Sequence, residues 1–388
     1  MRLLIVPMAA MAETSGPFSR CKLIAESASA SGIDVATCIA EDVNYSEISG
    51  IKNYFLDVPA PLGMPEIIAS KVFPVAQKIG LTSRKTVRSF DEVLWFTGNS
   101  VYSYLLKSVA SIRTTIRNFK PDIVYSEFSL PAIIAAKLEK KRLCTTVSYP
   151  TQPEYAASLK LAKGVNRYMK EKGLPQVNSA LELFDWADEC FCPSIHELEP
   201  IEKENVTFCG SLKKASISEQ LRNKIVIYMG NGTISAAMTE KEISKAFRGS
   251  EYEVYIASKY MKVKNKGNIH IAPYWNFNEI LEEAVLFINH GGHNSVVDGL
   301  IHGVPQMIVP GKVFERRYNA VSVVKNKAGI IIPYRQFRAD VIHSKANKVI
   351  ASELLRKNAV ELGKKLGAQG GVEVIIKHIL KYDMKKFG

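Results

Sequence analysis

The sequence predicts an α/β protein made of two doubly wound parallel-sheet domains. Three observations carry this. Short apolar runs alternate with longer segments of helical periodicity, the pattern of parallel strands covered on both faces by helices. The alternation stops at a polar, aperiodic stretch after Gly210 and then restarts. At 388 residues the chain is too long for one ordinary core and suits two.

In the first half, strands are expected at 3–6, 34–39, 54–58, 122–125, 144–148, 189–192 and 207–209, with helices such as 18–31 and 101–119 between them. The opening MRLLIVPMAAMAE has a basic start and a small-residue site, but it is short for a secretory leader. A loop and an apolar-periodic helix follow it, so it reads as a first buried strand. Residues 1–210 form one domain and 211–223 a linker. The second domain, 224–372, carries strands at 225–229, 253–257, 269–272, 285–288, 305–309 and 329–332. The stretch 352–387 reads as helical, its end (373–388) as a final helix.

Composition narrows the class. The chain is 47% apolar and 23% charged, which excludes whole-chain disorder, collagen-like repeats and a coiled coil. No run approaches the length of a membrane span. Six cysteines without a CxxC pair lie mostly in apolar runs and read as reduced, buried thiols of an intracellular, cytoplasmic protein. The net charge of +13 is unevenly placed: residues 1–210 hold 23 Lys/Arg and 23 Asp/Glu, residues 211–388 hold 28 and 15. A basic second domain points to an anionic partner, either a phosphorylated ligand, a membrane surface or nucleic acid. No zinc finger, RNP strand or basic zipper accompanies it, so nucleic acid is not expected.

The informative segment is 285–320, VLFINHGGHNSVVDGLIHGVPQMIVPGKVFERRYNA. A buried strand runs into Asn289-His290-Gly291-Gly292, and a helix starts near His293. The glycines permit a tight turn and close approach of a ligand. Asn294 and Ser295 fall in the first helical turn, where unpaired N–H groups and the helix dipole favour a phosphate. Asp298 lies one turn further on the same face, within reach of sugar hydroxyls.

This run resembles the donor-binding signature of the GT-B glycosyltransferases, in particular the UDP-glycosyltransferase and macrolide-glycosyltransferase family. That pattern is His-x-Gly-x-Asn-Ser, an acidic residue three later, Gly-Val-Pro, then an acidic-Gln pair and Asn-Ala. His290, Gly292, Asn294, Ser295, Asp298, Gly303, Val304, Pro305, Glu315, Asn319 and Ala320 match it in register, while Arg316 replaces the Gln and Asp298 a frequent Glu. The resemblance implies two Rossmann-like domains facing each other across a cleft. The N-terminal one would bind the acceptor and the C-terminal one the nucleotide sugar, with the last helix crossing back. It places His290, Asn294 and Ser295 on the diphosphate, Asp298 on the ribose, and Glu315 with Arg316 near the transferred sugar. Gly232 and Thr233 resemble the family's Gly-Ser loop, and Tyr274 and Trp275 its base pocket.

At the N-terminus, Gly16-Pro17-Phe18-Ser19-Arg20 occupies the place of a Gly-His loop whose His is the general base in many members. Pro17 cannot accept a proton. Glu127 stands where the family has the Asp that orients that His, and a partly desolvated carboxylate is a competent base. Glu127 is therefore the first candidate for the base and Glu13, in the loop after the first strand, the second. The chain lacks an Asp-x-Asp metal motif and zinc-spaced His/Cys, so no metal or other cofactor is expected.

The expected reaction is inverting, metal-independent transfer of a sugar from a UDP or dTDP donor to a hydroxyl or amine of a small apolar, aromatic or lipid-like acceptor. Phe73, Phe90, Trp95, Phe96, Tyr102 and Tyr104 lie where the family builds its acceptor pocket. Lys78, Arg84, Lys85 and Arg88 among them also suit peripheral contact with an anionic membrane. Two other readings remain open: a nucleotide-sugar epimerase of the same fold, and a non-catalytic auxiliary partner, which the missing His makes reasonable.

Overall fold

A computed structural model describes residues 1–10, 16–42, 45–64, 86–218, 221–230 and 234–387. The N-terminal elements are β1 (Arg2–Pro7), α1 (Gly16–Ala30), β2 (Asp34–Ile39), β3 (Lys52–Phe55), α2 (Phe90–Phe96), α3 (Tyr102–Phe119), β4 (Ile123–Glu127), α4 (Leu130–Leu138), β5 (Arg142–Thr146), α5 (Lys163–Glu171), β6 (Glu189–Cys192) and β7 (Val206–Phe208). The strands form a parallel sheet in the order β3-β2-β1-β4-β5-β6-β7. Helix α4 is apolar along nearly its whole length, and every residue from Leu130 to Ala136 is buried, as expected of a helix enclosed by a core.

The C-terminal elements are β8 (Lys224–Tyr228), α6 (Ala236–Phe247), β9 (Glu253–Ala257), β10 (Lys264–Lys266), β11 (Ile269–Ala272), α7 (Phe277–Glu282), β12 (Ala284–Asn289), α8 (His293–Ile301), β13 (Gln306–Ile308), α9 (Phe314–Lys325), β14 (Gly329–Ile331), α10 (Ala339–Ile350), α11 (Glu353–Ala368) and α12 (Val372–Phe387). Their sheet runs β10-β11-β9-β8-β12-β13-β14, parallel except for the β10–β11 pair. Both sheets reverse direction of winding at one point: between β1 and β4 in the first, between β8 and β12 in the second. Such switch points open a crevice at the carboxyl ends of the strands. Glu127 ends β4 beside Pro7, and His290 follows the last residue of β12, so both stand at those crevices.

The two doubly wound sheets are as the sequence predicts. Three details differ. Strand β5 begins two residues early, because Arg142 pairs in register with Ile123 although its side chain is polar. Strand β3 spans 52–55 rather than 54–58, because its ladder to β2 ends at Ile39–Phe55. The short β10, Lys-Asn-Lys and fully exposed, carries no apolar signal and is held only by its ladder to β11.

The C-terminal helical stretch divides at Gly370 and Gly371, both at positive φ (94° and 61°), a conformation that favours glycine, and the final helix follows from Val372. The Gly371 N–H donates to the Cys209 carbonyl (2.8 Å), and the chain turns there onto the N-terminal domain. Ile375, Ile376 and Ile379 of α12 are buried in one cluster with Cys21, Ile24 and Phe191. No described helix is long and apolar enough to cross a membrane.

Helix α11 packs closely on α8. A Cβ at Gly363 would stand 2.0 Å from the Leu300 carbonyl oxygen. In an isolated helix Gly→Ala is worth roughly 1 kcal/mol in favour of Ala. Here the overlap is with backbone, so overpacking of about 1–3 kcal/mol wins. Gly363→Ala is therefore expected to lower the thermal midpoint by a few degrees in scanning calorimetry; an unchanged or raised midpoint would show that the two helices separate freely.

Candidate active site

The loop between β12 and α8 is braced from below. Asn289 is fully buried; its Oδ1 accepts the Gly291 N–H (2.8 Å) and its Nδ2 donates to Gln306 Oε1 (2.8 Å). Gln306 Nε2 donates onward to the Val296 carbonyl (2.8 Å), and Asn319 Nδ2 to the Gly291 carbonyl (2.9 Å). Gly291 needs its φ of +81°, and a Cβ there would lie 2.8 Å from the Arg316 carbonyl oxygen.

His290 packs edge-on against Tyr228, ring centroids 5.4 Å apart, in space left by Gly230 and Gly292. A Cβ at Gly292 would stand 2.5 Å from His290 Nε2. Burial, with the nearby Arg316 guanidinium, pushes the imidazole down to about 3, so it is neutral at physiological pH. His293 in the first turn of α8 is pushed down to about 3 as well, by burial and then Arg20. Its Nε2 lies 3.0 Å from the Pro193 carbonyl, which only accepts, so that nitrogen carries the proton. Neither histidine supplies positive charge.

Two arginines do. Arg316, in the first turn of α9, is half-buried; desolvation lowers its pKa from the usual value, and it bears on His290. Arg20 reaches across from α1, only 7% exposed. Its Nε donates to Glu127 Oε1 at 2.6 Å, its Nη2 lies 2.6 Å from the same oxygen as an ion pair, and its Nη1 donates to Asn294 Oδ1 at 2.9 Å. Thr146 Oγ1 donates to the other Glu127 oxygen. Burial raises the Glu127 pKa, with Arg20 and Thr146 opposing it.

The geometry bears on the expected role of Glu127. It is 0% exposed and both its oxygens are engaged, which suits a carboxylate that orients a neighbour rather than one that takes up a proton. The orienting position is as the sequence comparison implies, but the group oriented is an arginine.

The donor-site residues His290, Gly292, Asn294, Ser295 and Asp298 lie together on the loop and the first two turns of α8, and Glu315 and Arg316 on the first turn of α9. Ser295 and Asp298 are buried. Both Asp298 oxygens accept from Lys213 Nζ, at 2.7 and 2.9 Å. Burial raises the Asp298 pKa and Lys213 opposes the rise. Trp275 donates its Nε1–H to the Ile256 carbonyl (3.1 Å) and meets Tyr255 edge-on at 5.1 Å, whereas Tyr274 is 75% exposed. Gly232, Thr233 and Glu13 lie outside the described residues, as do Phe73, Lys78, Arg84 and Lys85. Phe90 and Tyr104 belong to the core, while Trp95, Phe96 and Tyr102 are half-buried and Arg88 is exposed.

Sequence reasoning gave no role to Arg20, Lys213, His293 or Glu199. Arg20 carried a usable signal, since it lies one turn after Gly16 on the inward face of an N-terminal helix. Glu199 carried none. It is 2% exposed in the wall between the domains. Its Oε2 accepts the Tyr149 N–H at 2.6 Å, and its Oε1 lies 3.9 Å from His293 Nδ1. Burial, with Glu315 nearby, pushes it up to about 8. Beside it Tyr149 stacks on Tyr318 (5.0 Å, 14°), and Tyr318 donates to the Leu198 carbonyl (2.8 Å), joining the domains. Among the described residues no group of three or more His, Cys, Asp and Glu side chains is arranged to hold a metal ion.

Comparison with known proteins agrees with this architecture. Residues 257–381 match the family described as erythromycin biosynthesis protein CIII-like, C-terminal domain. The chain is similar to UDP-glucuronosyltransferase 3A1 of Xenopus laevis, 30% identical over 146 residues, 36% of this chain and 28% of that one. It is similar also to NDP-glycosyltransferase YjiC of Bacillus subtilis (strain 168), 26% identical over 197 residues, 48% and 46% of the two chains. These matched segments span less than half of the relatives' length. Among solved structures, the calicheamicin glycosyltransferase CalG4 superposes with a TM-score of 0.75 at 13% identity over 98% of both chains. The spinosyn rhamnosyltransferase SpnG gives 0.74 at 13% identity, over 98% of this chain and 100% of that one. The glycosyltransferase VinC, in complex with dTDP, gives 0.70 at 12% identity over 98% and 99%. The chain has the GT-B fold of these glycosyltransferases, and the family-model match lies in its C-terminal domain, at residues 257–381.

The buried titratable groups fix the sign of the pH dependence of stability. Glu199 in the folded chain keeps its proton up to about 8, while the unfolded chain releases it near the usual 4.5, so its contribution is lost as pH rises through that window. The two histidines act oppositely: with folded values of about 3 against 6.5 unfolded, their contribution is complete above 6.5 and lost as pH falls toward 3. Glu199→Gln is expected to flatten the alkaline side alone. Its thermal midpoint should gain on the wild type between about pH 5.5 and pH 8.5. Parallel curves over that range would contradict the burial of an ionisable Glu199.

Proposed function

We propose that the chain is an inverting, metal-independent glycosyltransferase that moves a sugar from a nucleoside-diphosphate donor to a hydroxyl or amine of a small apolar, aromatic or lipid-like acceptor. The observation that carries this reading is the N-terminal turn of α8. It starts at the switch point of the second sheet, bears Asn294, Ser295 and Asp298, and faces the switch point of the first sheet through Arg20. A diphosphate there receives backbone N–H groups at the positive end of a helix. Charge developing on the leaving group meets donors already in place, which is the usual source of the largest part of such a rate enhancement. With fixed cations present, a metal is not required. UDP and dTDP are the preferred donors: related proteins are named for UDP sugars, and SpnG and VinC were captured with the thymidine nucleotide.

In a single displacement the acceptor attacks the anomeric carbon from the N-terminal side, and the configuration inverts. With Glu127 committed to Arg20, Glu13 is the proposed acceptor of the nucleophile's proton. Asp298 is proposed for the ribose, sharing its oxygens with Lys213, and Glu315 for the sugar. The half-buried Trp95, Phe96 and Tyr102 support an aromatic or apolar acceptor, and the basic residues beside them support peripheral contact with an anionic membrane.

Thermal unfolding with UDP, dTDP and GDP, with and without chelator, tests the reading. A ligand at 100 times its Kd adds about 2.7 kcal/mol. Stabilisation by UDP or dTDP that persists in chelator is expected. No shift with any nucleotide would replace the transferase reading with that of an auxiliary partner. For the base, Glu13→Gln is expected to lower kcat about 10²–10⁴-fold with nucleotide affinity unchanged; normal turnover would remove Glu13 from the mechanism.

A further inference from the structure

We propose that Arg20 is the N-terminal domain's own ligand for the donor diphosphate, and that Glu127 is the positioning residue that aims it. The inference rests on the transferase reading and deepens it: the cleft face opposite the nucleotide domain supplies a fixed cation to the leaving group.

Three observations carry it. First, the guanidinium is already at the place a diphosphate would occupy. Nη1 donates to Asn294 Oδ1 in the first turn of α8, at 2.9 Å. Second, a second helix terminus converges on the same point. Gly16 opens α1, and a Cβ built on it would lie 3.7 Å from Arg20 Nη1 and 4.0 Å from Asn294 Nδ2. Two helix N-termini and a guanidinium thus share one small volume, and each favours an anion. Third, the histidines of the site are neutral, as shown above, and Lys213 is already engaged by both oxygens of Asp298, which leaves arginine as the cation facing the turn of α8.

The guanidinium also has capacity to spare. Two of its five N–H groups are hydrogen-bonded among the described residues, Nε to Glu127 and Nη1 to Asn294, and Nη2 stands as an ion pair beside the same carboxylate oxygen. The Nη1–Nη2 edge suits the paired oxygens of a phosphate. Glu127 anchors the Nε–Nη2 edge at 2.6 Å and Phe128 covers a guanidinium face, 5.5 Å from ring centroid to carbon, so the free edge has little rotational latitude. An arginine cannot act as a base, so the Glu–Arg pair performs charge stabilisation where an acid–His pair performs proton transfer.

Because Arg20→Gln alone strands a buried carboxylate, the test pairs it with the double variant Arg20→Gln/Glu127→Gln, which removes both charges and keeps the hydrogen bond. Calorimetric titration of each with the diphosphate that binds wild type, its monophosphate and its nucleoside is expected to give a graded loss. Affinity for the diphosphate should fall about 10- to 100-fold in the double variant, that for the monophosphate less, and that for the nucleoside not at all. Its thermal midpoint should recover most of what Arg20→Gln alone loses. Wild-type affinity for the diphosphate in the double variant would overturn the inference and leave the transferase reading standing. An equal loss for all three ligands would also overturn it, marking Arg20 as purely structural. A wild-type chain that binds none of them would overturn both.

Discussion

The charge chain Glu127–Arg20–Asn294 is the interaction on which the arrangement of the cleft depends. Two ionised groups are taken out of water, and neither survives there alone: removing one partner of such a pair costs roughly 3–5 kcal/mol, because the other charge is left buried. The pair is therefore constrained to stay together, and it fixes α1 against the end of β4. Through Nη1 the same guanidinium fixes the N-terminal domain against the first turn of α8. Lys213 does the same one turn further along that helix, where it holds Asp298. The helix proposed to carry the nucleotide is thus held at Asn294 and at Asp298 by cations from outside its own sheet.

Several further interdomain contacts are of a different kind. Tyr149 on Tyr318, Tyr318 on Leu198 and His293 on Pro193 are neutral, and Ile195 and Leu198 pack into the C-terminal domain beside Val296 and Leu300, while the charged Lys365–Glu197 pair is half exposed. Apolar packing and neutral hydrogen bonds supply cohesion without adding charge, so the electrostatic character of the cleft is set by a few groups. Burial keeps both histidines neutral and keeps Glu199 protonated through neutral pH. What is left is positive at the turn of α8, the sign a leaving diphosphate needs.

Much of this was legible in the sequence, for reasons that can be named. A buried parallel strand is a continuous apolar run, so most strands of both sheets were found from composition alone. The loop from His290 to Asp298 was legible because close approach demands glycine and a helix N-terminus binds anions, both local properties. What failed was tertiary. Lys213 lies in a stretch that reads as an idle linker, and only the folded chain brings it to Asp298. Glu199 looks like any surface glutamate until Tyr149 and the α9 face close over it. Glu127 read as a free base, and only the folded chain shows its carboxylate held by Arg20, 107 positions away in the chain. Strand β10 has no apolar residue and owes its existence to its partner.

The most direct test is a crystal structure of the chain with UDP or dTDP in the cleft. The account predicts phosphate oxygens within hydrogen-bond distance of the N–H groups of His293, Asn294 and Ser295, with the free edge of Arg20 on the same phosphates and its other edge still on Glu127. A nucleotide bound elsewhere, or one whose phosphates avoid the turn of α8, would contradict it.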